Sequence, residues 1–422
     1  MKKKLLLKSL FIILSLSIYN LAIHNYSFAS NGMAFSVGSN YGWFQINTTN
    51  DAKTAATQYR LAGYSSFYSV EPTYDILRGN FNNGTQRLSS DILFVAGHSN
   101  RSAMYFNYNN KGGSYKTGIS YMYDTNDDGY ELAGLLDHCN RQSVILATFA
   151  GCNTASTTDS QYNLCHVITK TLWAQAAVGW HSEVDDSANR TFCAAYNKAL
   201  ANGYGLLDSI YYGLAADTFD PATNISNITL YADNPDLVIK KSSRSLLTSD
   251  NSKLSSLNFV DINLMTNRIF DQNNMNNIYD FITEINPDFN ASDYDIKISN
   301  ICGNNYVVTL TLKIGNYITN SVYNIFIKDN TISSVVDNTK KVDSSAKQSL
   351  KNSTVNYSLS GQYKQSVKNA ILAEQGGTIT DQKITYYYDI DTNTKKCIVY
   401  NTHVLGKTSD AMSVLSKEIK LN

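Results

Sequence analysis

Two segments constrain this chain more than any others. Residues 91–100 read DILFVAGHSN and residues 143–155 read SVILATFAGCNTA. Each holds an unbroken apolar run that is short for a helix and bounded by turn residues, the pattern of a strand covered on both faces. Helical patterns stand around them. NDAKTAATQYRLAGY (50–64) predicts a helix with Asn50 or Asp51 as its cap and Gly63 at its end. DGYELAGLLDHCNR, LCHVITKTLWAQA, DSANRTFCAAYNKALANG and LLDSIYYGLA predict further helices, and AAVGW and YGWFQI (41–46) predict short strands. SAMYFNY and YKTGISYMY flank NNKGG as a hairpin, and SSFYSVEPTYDILRG reads as an irregular aromatic stretch. Alternating strands and helices predict an α/β fold, a mainly parallel sheet flanked by helices. Sites in such sheets form beyond the C-terminal ends of the strands. Here two apolar strands end in His98 and Cys152.

At 422 residues the chain is long enough for two or three domains, and 43% apolar against 17% charged residues excludes a disordered chain. Lys and Arg balance Asp and Glu at 35 each, which speaks against a nucleic-acid partner. The start is different. MKKKLLLKSLFIILSLSIYNLAIHNYSFAS has a basic head, a short apolar stretch and small residues near Ala29, the build of a secretory signal peptide over residues 1–29. Its apolar stretch falls short of the roughly 20 residues a bilayer needs, so no stable membrane insertion is expected. The expected mature protein is secreted and extracellular, with 31 basic and 35 acidic groups.

Residues 30–235 form one expected domain. Residues 236–256 are an expected linker, Ser- and Lys-rich over KKSSRSLLTSDNSKLSS. Residues 257–422 form an expected α+β accessory domain with antiparallel hairpins and two helix-then-strands units. NNIYDFITEIN and QYKQSVKNAILAEQG are its predicted helices.

The chemistry follows from the strand ends. A thiolate is the nucleophilic form of cysteine, and an adjacent imidazole can take its proton and return it to a leaving amine. An acyl-transfer oxyanion needs backbone donors, and the Ser99 and Cys152 N–H groups are the candidates, with Gly151 allowing a tight backbone. These residues, with the downstream LWAQAAVGWHSEVDDSANRTFCAAYNKALANGYGLLDSIYYG and the upstream DGYELAGLLDHCNRQ, resemble the caspase-like (clan CD) cysteine peptidases over roughly residues 41–216. The nearest look is to the CHAT-type branch, and the chain is also similar to clostripain, gingipain and separase. The spacing of 54 from His98 to Cys152 is close to the roughly 50 that separates the pair in caspases.

The resemblance implies a hydrolase, a cysteine endopeptidase acting on a protein or peptide substrate through a dyad, with His98 as base and Cys152 as nucleophile. His181 is a distant second choice for the base. Two departures stand out. Ser99 follows the histidine where the family usually has Gly, and Ala150 stands where clostripain-like and metacaspase-like members carry Asp. Specificity for Arg or Lys would then need another acid. Asp185 and Asp186, ahead of Glu183, are the candidates for substrate binding, with helix capping as the competing reading. Basic specificity would make Lys240, Lys241 and Arg244 self-processing sites. The C-terminal domain is expected either to inhibit or to anchor the catalytic one. The rival reading is a non-catalytic extracellular binding protein on the same scaffold.

Cys139, Cys165 and Cys193 fall in predicted helices as core residues, while Cys302 and Cys397 are candidates for a disulfide. No cofactor is required by this chemistry. DTNDDG (124–129) is a candidate calcium loop, with Asp124, Asn126 and Asp128 at alternate positions before Gly129. Its closing position is Leu135 rather than Glu, and a turn with a helix cap is the alternative.

Overall fold

The computed structural model describes residues 32–40, 47–109, 114–127, 130–156, 162–216, 227–240, 259–261, 268–353, 357–405 and 411–421. The expected signal peptide, the expected strand 41–46 and linker residues 241–256 lie outside them. The first half runs β1 (Met33–Gly38), α1 (Thr49–Leu61), β2 (Ser65–Val70), α2 (Tyr74–Arg78), β3 (Ile92–Ala96), β4 (His98–Ser99), β5 (Ala103–Asn109) and β6 (Ser114–Ser120). It continues with β7 (Thr125–Asp127), β8 (Tyr130–Gly134), α3 (Leu135–His138), β9 (Leu146–Ala150) and α4 (Leu164–His166), which a π turn prolongs over Val167–Thr171. β10 (Ala176–Trp180), α5 (Asp186–Asn202), α6 (Leu206–Ala216) and β11 (Ile228–Ala232) complete it.

Six of these strands form one sheet in the order β11-β10-β9-β3-β1-β2, parallel throughout except for β11. The apolar runs become its centre because both faces need covering. Ile92 and Phe94 pack under α1, α5 and α6 with Tyr59, Phe192 and Ile210. Leu93 and Val95, on the opposite face, pack with Leu77, Leu135, Leu164 and Ile168 from the other helices. Burying such a side chain is worth roughly 1.5–3 kcal/mol, so an all-apolar strand is stable only between two layers. The expected fold class is therefore the observed one, a mainly parallel sheet flanked by helices and followed by a C-terminal α+β half.

Two local expectations differ. Residues 65–70 are an ordered parallel strand beside β1 rather than an irregular stretch. Residues 130–134, expected to open a helix, form β8 instead, pairing with β6 and β7, and the helix shrinks to α3. Ladder partners on both sides, β6 and β7, override the local helical pattern there.

The second half contains β12 (Phe259–Asp261), α7 (Asn276–Ile285), β13 (Tyr294–Cys302), β14 (Asn305–Ile314), β15 (Tyr317–Lys328) and β16 (Thr331–Asn338). α8 (Ser344–Asn352), α9 (Tyr357–Gln375), β17 (Thr378–Asp389), β18 (Thr394–Leu405) and β19 (Ala411–Lys420) follow. α7 packs on β14–β16 and α9 on β17 and β18, so each helix covers the strands that follow it. The strands join in the order β12-β16-β15-β17-β18-β19-β4-β5-β6-β8-β7, with β13 and β14 branching from β15. The C-terminal sheet thus runs through β19 into the hairpin of the first half.

The halves also share a core. Ile301, Val307, Phe326 and Val336 enter the cluster under α5 and α6. Tyr211 stacks on Phe326 at 4.6 Å and donates from its hydroxyl to the Ile327 carbonyl at 2.7 Å. Residues 235–239 pack back on the first half, with Leu207 N–H on the Pro235 carbonyl and the Tyr64 hydroxyl on the Ile239 carbonyl. All six cysteines are free thiols. The candidate Cys302–Cys397 disulfide is not formed, because Cys302 packs on the shared core while Cys397 sits under α9. Among the described residues no helix is long and apolar enough to cross a membrane.

Candidate active site

β3 and β9 are neighbours with Ala96 and Ala150 in register, so the chain leaves both strands at the same edge of the sheet. Each strand is followed by one glycine and then by a reactive side chain, Gly97 before His98 and Gly151 before Cys152. The Gly97 N–H donates to the Ala150 carbonyl at 3.3 Å, and the Ser99 hydroxyl donates to the Cys152 carbonyl at 2.8 Å. These bonds tie the two turns together. A Cβ on Gly151 would lie 2.3 Å from Ser99 Oγ and 2.6 Å from the Gly97 carbonyl oxygen, so the approach needs glycine.

The turn beyond Cys152 is also fixed. Asn153 takes a left-handed φ of 61°. Thr154 Oγ1 donates toward the Phe149 and Gly151 carbonyls at 2.8 and 3.1 Å and accepts from Trp180 N–H at 3.1 Å. His98, on β4 opposite Tyr105, is 1% exposed and Cys152 is 3% exposed.

The sulfur of Cys152 accepts from Val184 N–H at 3.4 Å and faces the Val184 carbonyl at 3.7 Å. Burial pushes the thiol up to about 12; Glu183 and Asp185 add to the rise, while the Val184 and Val414 backbones oppose it. As the chain stands, Cys152 is a protonated thiol. The space beside it, bounded by Gly97, Gly151, Val184, Asp186 and Asn189, has about 10 Å³ for the centre of a water-sized sphere. That is room for about one water.

The structure brings the three acids of the 183–186 segment beside the thiol but engages them differently. Asp185 is the N-cap of α5, accepting from Ser187 N–H at 3.0 Å and Ala188 N–H at 3.2 Å. Asp186 accepts from Arg190 at 2.7 Å, and Arg190 lies 3.9 Å from Asp51. Burial, reinforced by the like charge of Asp186, raises Asp51 to about 7 against the pull of Arg190. Burial raises Asp186 to about 6, again against Arg190. Glu183 accepts from the Thr402 hydroxyl of β18 at 3.0 Å, and burial pushes its carboxyl above the usual range. His181 lies 3.3 Å from the Thr229 hydroxyl of β11.

In the candidate calcium loop, Asp124 accepts from the Tyr74 hydroxyl at 2.6 Å and Gly134 N–H at 2.7 Å, with His138 Nε2 at 2.9 Å. Burial opposes them, but these partners hold its carboxyl below the usual range. The side chains of Asn126 and Asp128 lie outside the described residues. Among the described residues no group of three or more His, Cys, Asp or Glu has the arrangement of a metal site.

Sequence reasoning missed β19. Met412 pairs with Ser99, Val414 bridges Asp185, and Val414 lies 262 residues beyond Cys152. No local pattern in β19 announces which edge it will join.

No protein-family model and no curated protein matches this chain. Among solved structures, the Arg-specific cysteine proteinase gingipain R aligns with a TM-score of 0.36 and 9% identity, over 93% of this chain and 67% of that one. A likeness this low carries no argument from that protein's chemistry to this one.

Proposed function

We propose that this chain is a secreted cysteine endopeptidase working through a Cys152–His98 dyad. One observation carries the reading: two adjacent, doubly buried parallel strands deliver an imidazole and a thiol to the same sheet edge, tied by the Ser99–Cys152 hydrogen bond. In the reaction His98 takes the Cys152 proton as the sulfur attacks the substrate carbonyl. The N–H groups of Ser99 and Cys152 face the oxyanion. His98 then protonates the leaving amine, and a water, deprotonated by His98, releases the acid from the thioester. Acidic groups at 183–186 favour a substrate with Arg or Lys before the scissile bond. Glu183 is the acid whose carboxylate reaches across to the C-terminal half.

The test is hydrolysis of a mixed peptide library by the mature chain carrying Val414→Pro, which breaks the ladder of β19 beside Cys152, and by the same form carrying Cys152→Ala or His98→Ala. Each variant is expected to lose at least ~10³-fold in kcat/KM with its melting temperature nearly unchanged. Full activity in Cys152→Ala overturns the proposal. A buried, protonated thiol also suits a non-catalytic binding protein on this scaffold. The two readings part on whether any peptide is cut by a form whose Cys152 is open to solvent.

A further inference from the structure

The strand nearest Cys152 from the second half is β19, the last of the described strands. β18 carries β19 to the first half as an antiparallel partner, with Thr402 opposite Val414 and Val404 opposite Met412. β19 then enters the edge where the two reactive turns emerge. On one side Met412 pairs antiparallel with Ser99, the residue after His98. On the other, Val414 forms a parallel bridge with Asp185, the residue after Val184, whose backbone holds the thiol. The Val414 backbone lies near enough to the Cys152 sulfur to oppose the rise that burial imposes on the thiol. Val414 is 7% exposed, packed with Tyr387, Ile398 and Tyr400. Three further contacts fasten this arrangement. The Thr402 hydroxyl reaches Glu183, Asn401 Nδ2 donates to the Leu415 carbonyl at 3.1 Å, and Lys396 lies 3.1 Å from Glu418.

An extended segment lying between a strand edge and a loop, with its backbone beside the nucleophile, occupies the path that a peptide substrate needs. Strand addition is a general mode by which peptides dock on an exposed sheet edge. With β19 in place no edge of β4 is open, since β5 holds its other side. We infer that β19 is a built-in plug, that it fills the substrate track of the site proposed above, and that the full chain is therefore latent until β19 is displaced or cut away. The inference rests on the peptidase reading for the meaning of the track, whereas the cover over the thiol is independent of it. A protonated thiol and a one-water space are what a plugged site shows, and withdrawal of β19 removes part of the burial that keeps the proton on sulfur.

The experiment uses the full mature chain and Val414→Pro, which removes the Val414 N–H and breaks the β19 ladder. Iodoacetamide labelling is read by mass spectrometry at each cysteine, together with hydrolysis of the peptide library. Cys152 is expected to react at least tenfold faster in Val414→Pro, while Cys193, in the cluster that holds Cys152, and Cys165, in the cluster on the opposite face of the sheet, stay protected. Equal Cys152 labelling in the two proteins overturns the plug. So does peptide hydrolysis that is clearly present and equal in the two proteins, which would leave the peptidase reading standing. Fast labelling without hydrolysis of any peptide keeps the plug and sinks the peptidase reading.

If the variant unfolds and every cysteine reacts, the wild-type chain decides the matter in dilute urea. Cys152 must then become reactive at the same urea concentration at which the amides of 411–420 lose hydrogen-exchange protection, with Cys165 still protected. A Cys152 that reacts while those amides remain protected overturns the plug.

Discussion

The two sheets of this molecule are built on opposite logics. In the six-stranded sheet every residue of β1, β3, β9 and β10 is buried, and all its strands come from the first half of the chain. In the larger sheet several strands are half-exposed. β13, for instance, alternates between exposed and covered positions along one flank. Its decisive join is a single register pair, Met412 with Ser99, between the last strand and the fourth. The first sheet is specified by side chains that must be covered on two faces. The second is completed by backbone edges that any extended segment of suitable reach can satisfy. The reactive groups stand where these two kinds of construction meet.

This contrast can be broken or sharpened by substitution. The largest effect is expected at the shared core. Phe326→Ala removes a fully buried ring stacked on Tyr211 and should cost about 3–5 kcal/mol in urea unfolding. If the halves form one cooperative unit, a single transition shifts. A C-terminal transition that moves alone would show that they unfold independently despite their common core. Next comes Gly151→Ala, which forces a methyl against Ser99 Oγ and the Gly97 carbonyl. It should cost about 1–3 kcal/mol, read as a lower melting temperature, and loosen the turn that carries Cys152. An unchanged melting temperature would mean that the two turns are not held as closely as their contacts indicate.

The smallest effect is expected at the acid cluster behind the site. Asp51 and Asp186 hold their protons in the folded chain to about pH 7 and 6, through burial, whereas unfolded carboxyls lose theirs near pH 4. The folded state binds more protons in that window. Stability is therefore full below about pH 4 and declines as pH rises toward 7. Asp51→Asn should flatten the decline and leave the protein on the order of 1–2 kcal/mol more stable than wild type at pH 8, measured by urea titration across pH. A decline as steep as in wild type would place the pH sensitivity elsewhere in the fold.

Much of the first half was legible because its signals are local. The runs ILFVA and LATFA carry their own burial requirement. The helix over DSANRTFCAAYNKALAN carries its own cap in Asp185 and its stop in Gly203, which takes the left-handed φ of 92°. The order of His98 and Cys152 at two strand ends was also readable. Their adjacency follows once β3 and β9 pair in register. What was not legible is what depends on which partner a segment meets. YELAG looks helical until β6 supplies an edge. Cys302 and Cys397 looked like a pair until the two cores separated them.

The sequence by itself determined an α/β unit, a sheet covered on both faces, with an imidazole and a thiol at the ends of buried strands, because apolar periodicity is a local property with a nearly unique solution. Only the tertiary structure decided that the C-terminal strand lies over that thiol. Backbone hydrogen bonds are alike at every residue, so the strand's own sequence does not name the edge it will join. The shared core around Phe326 and Tyr211 and the pairing of β18 with β19 bring that strand to this edge.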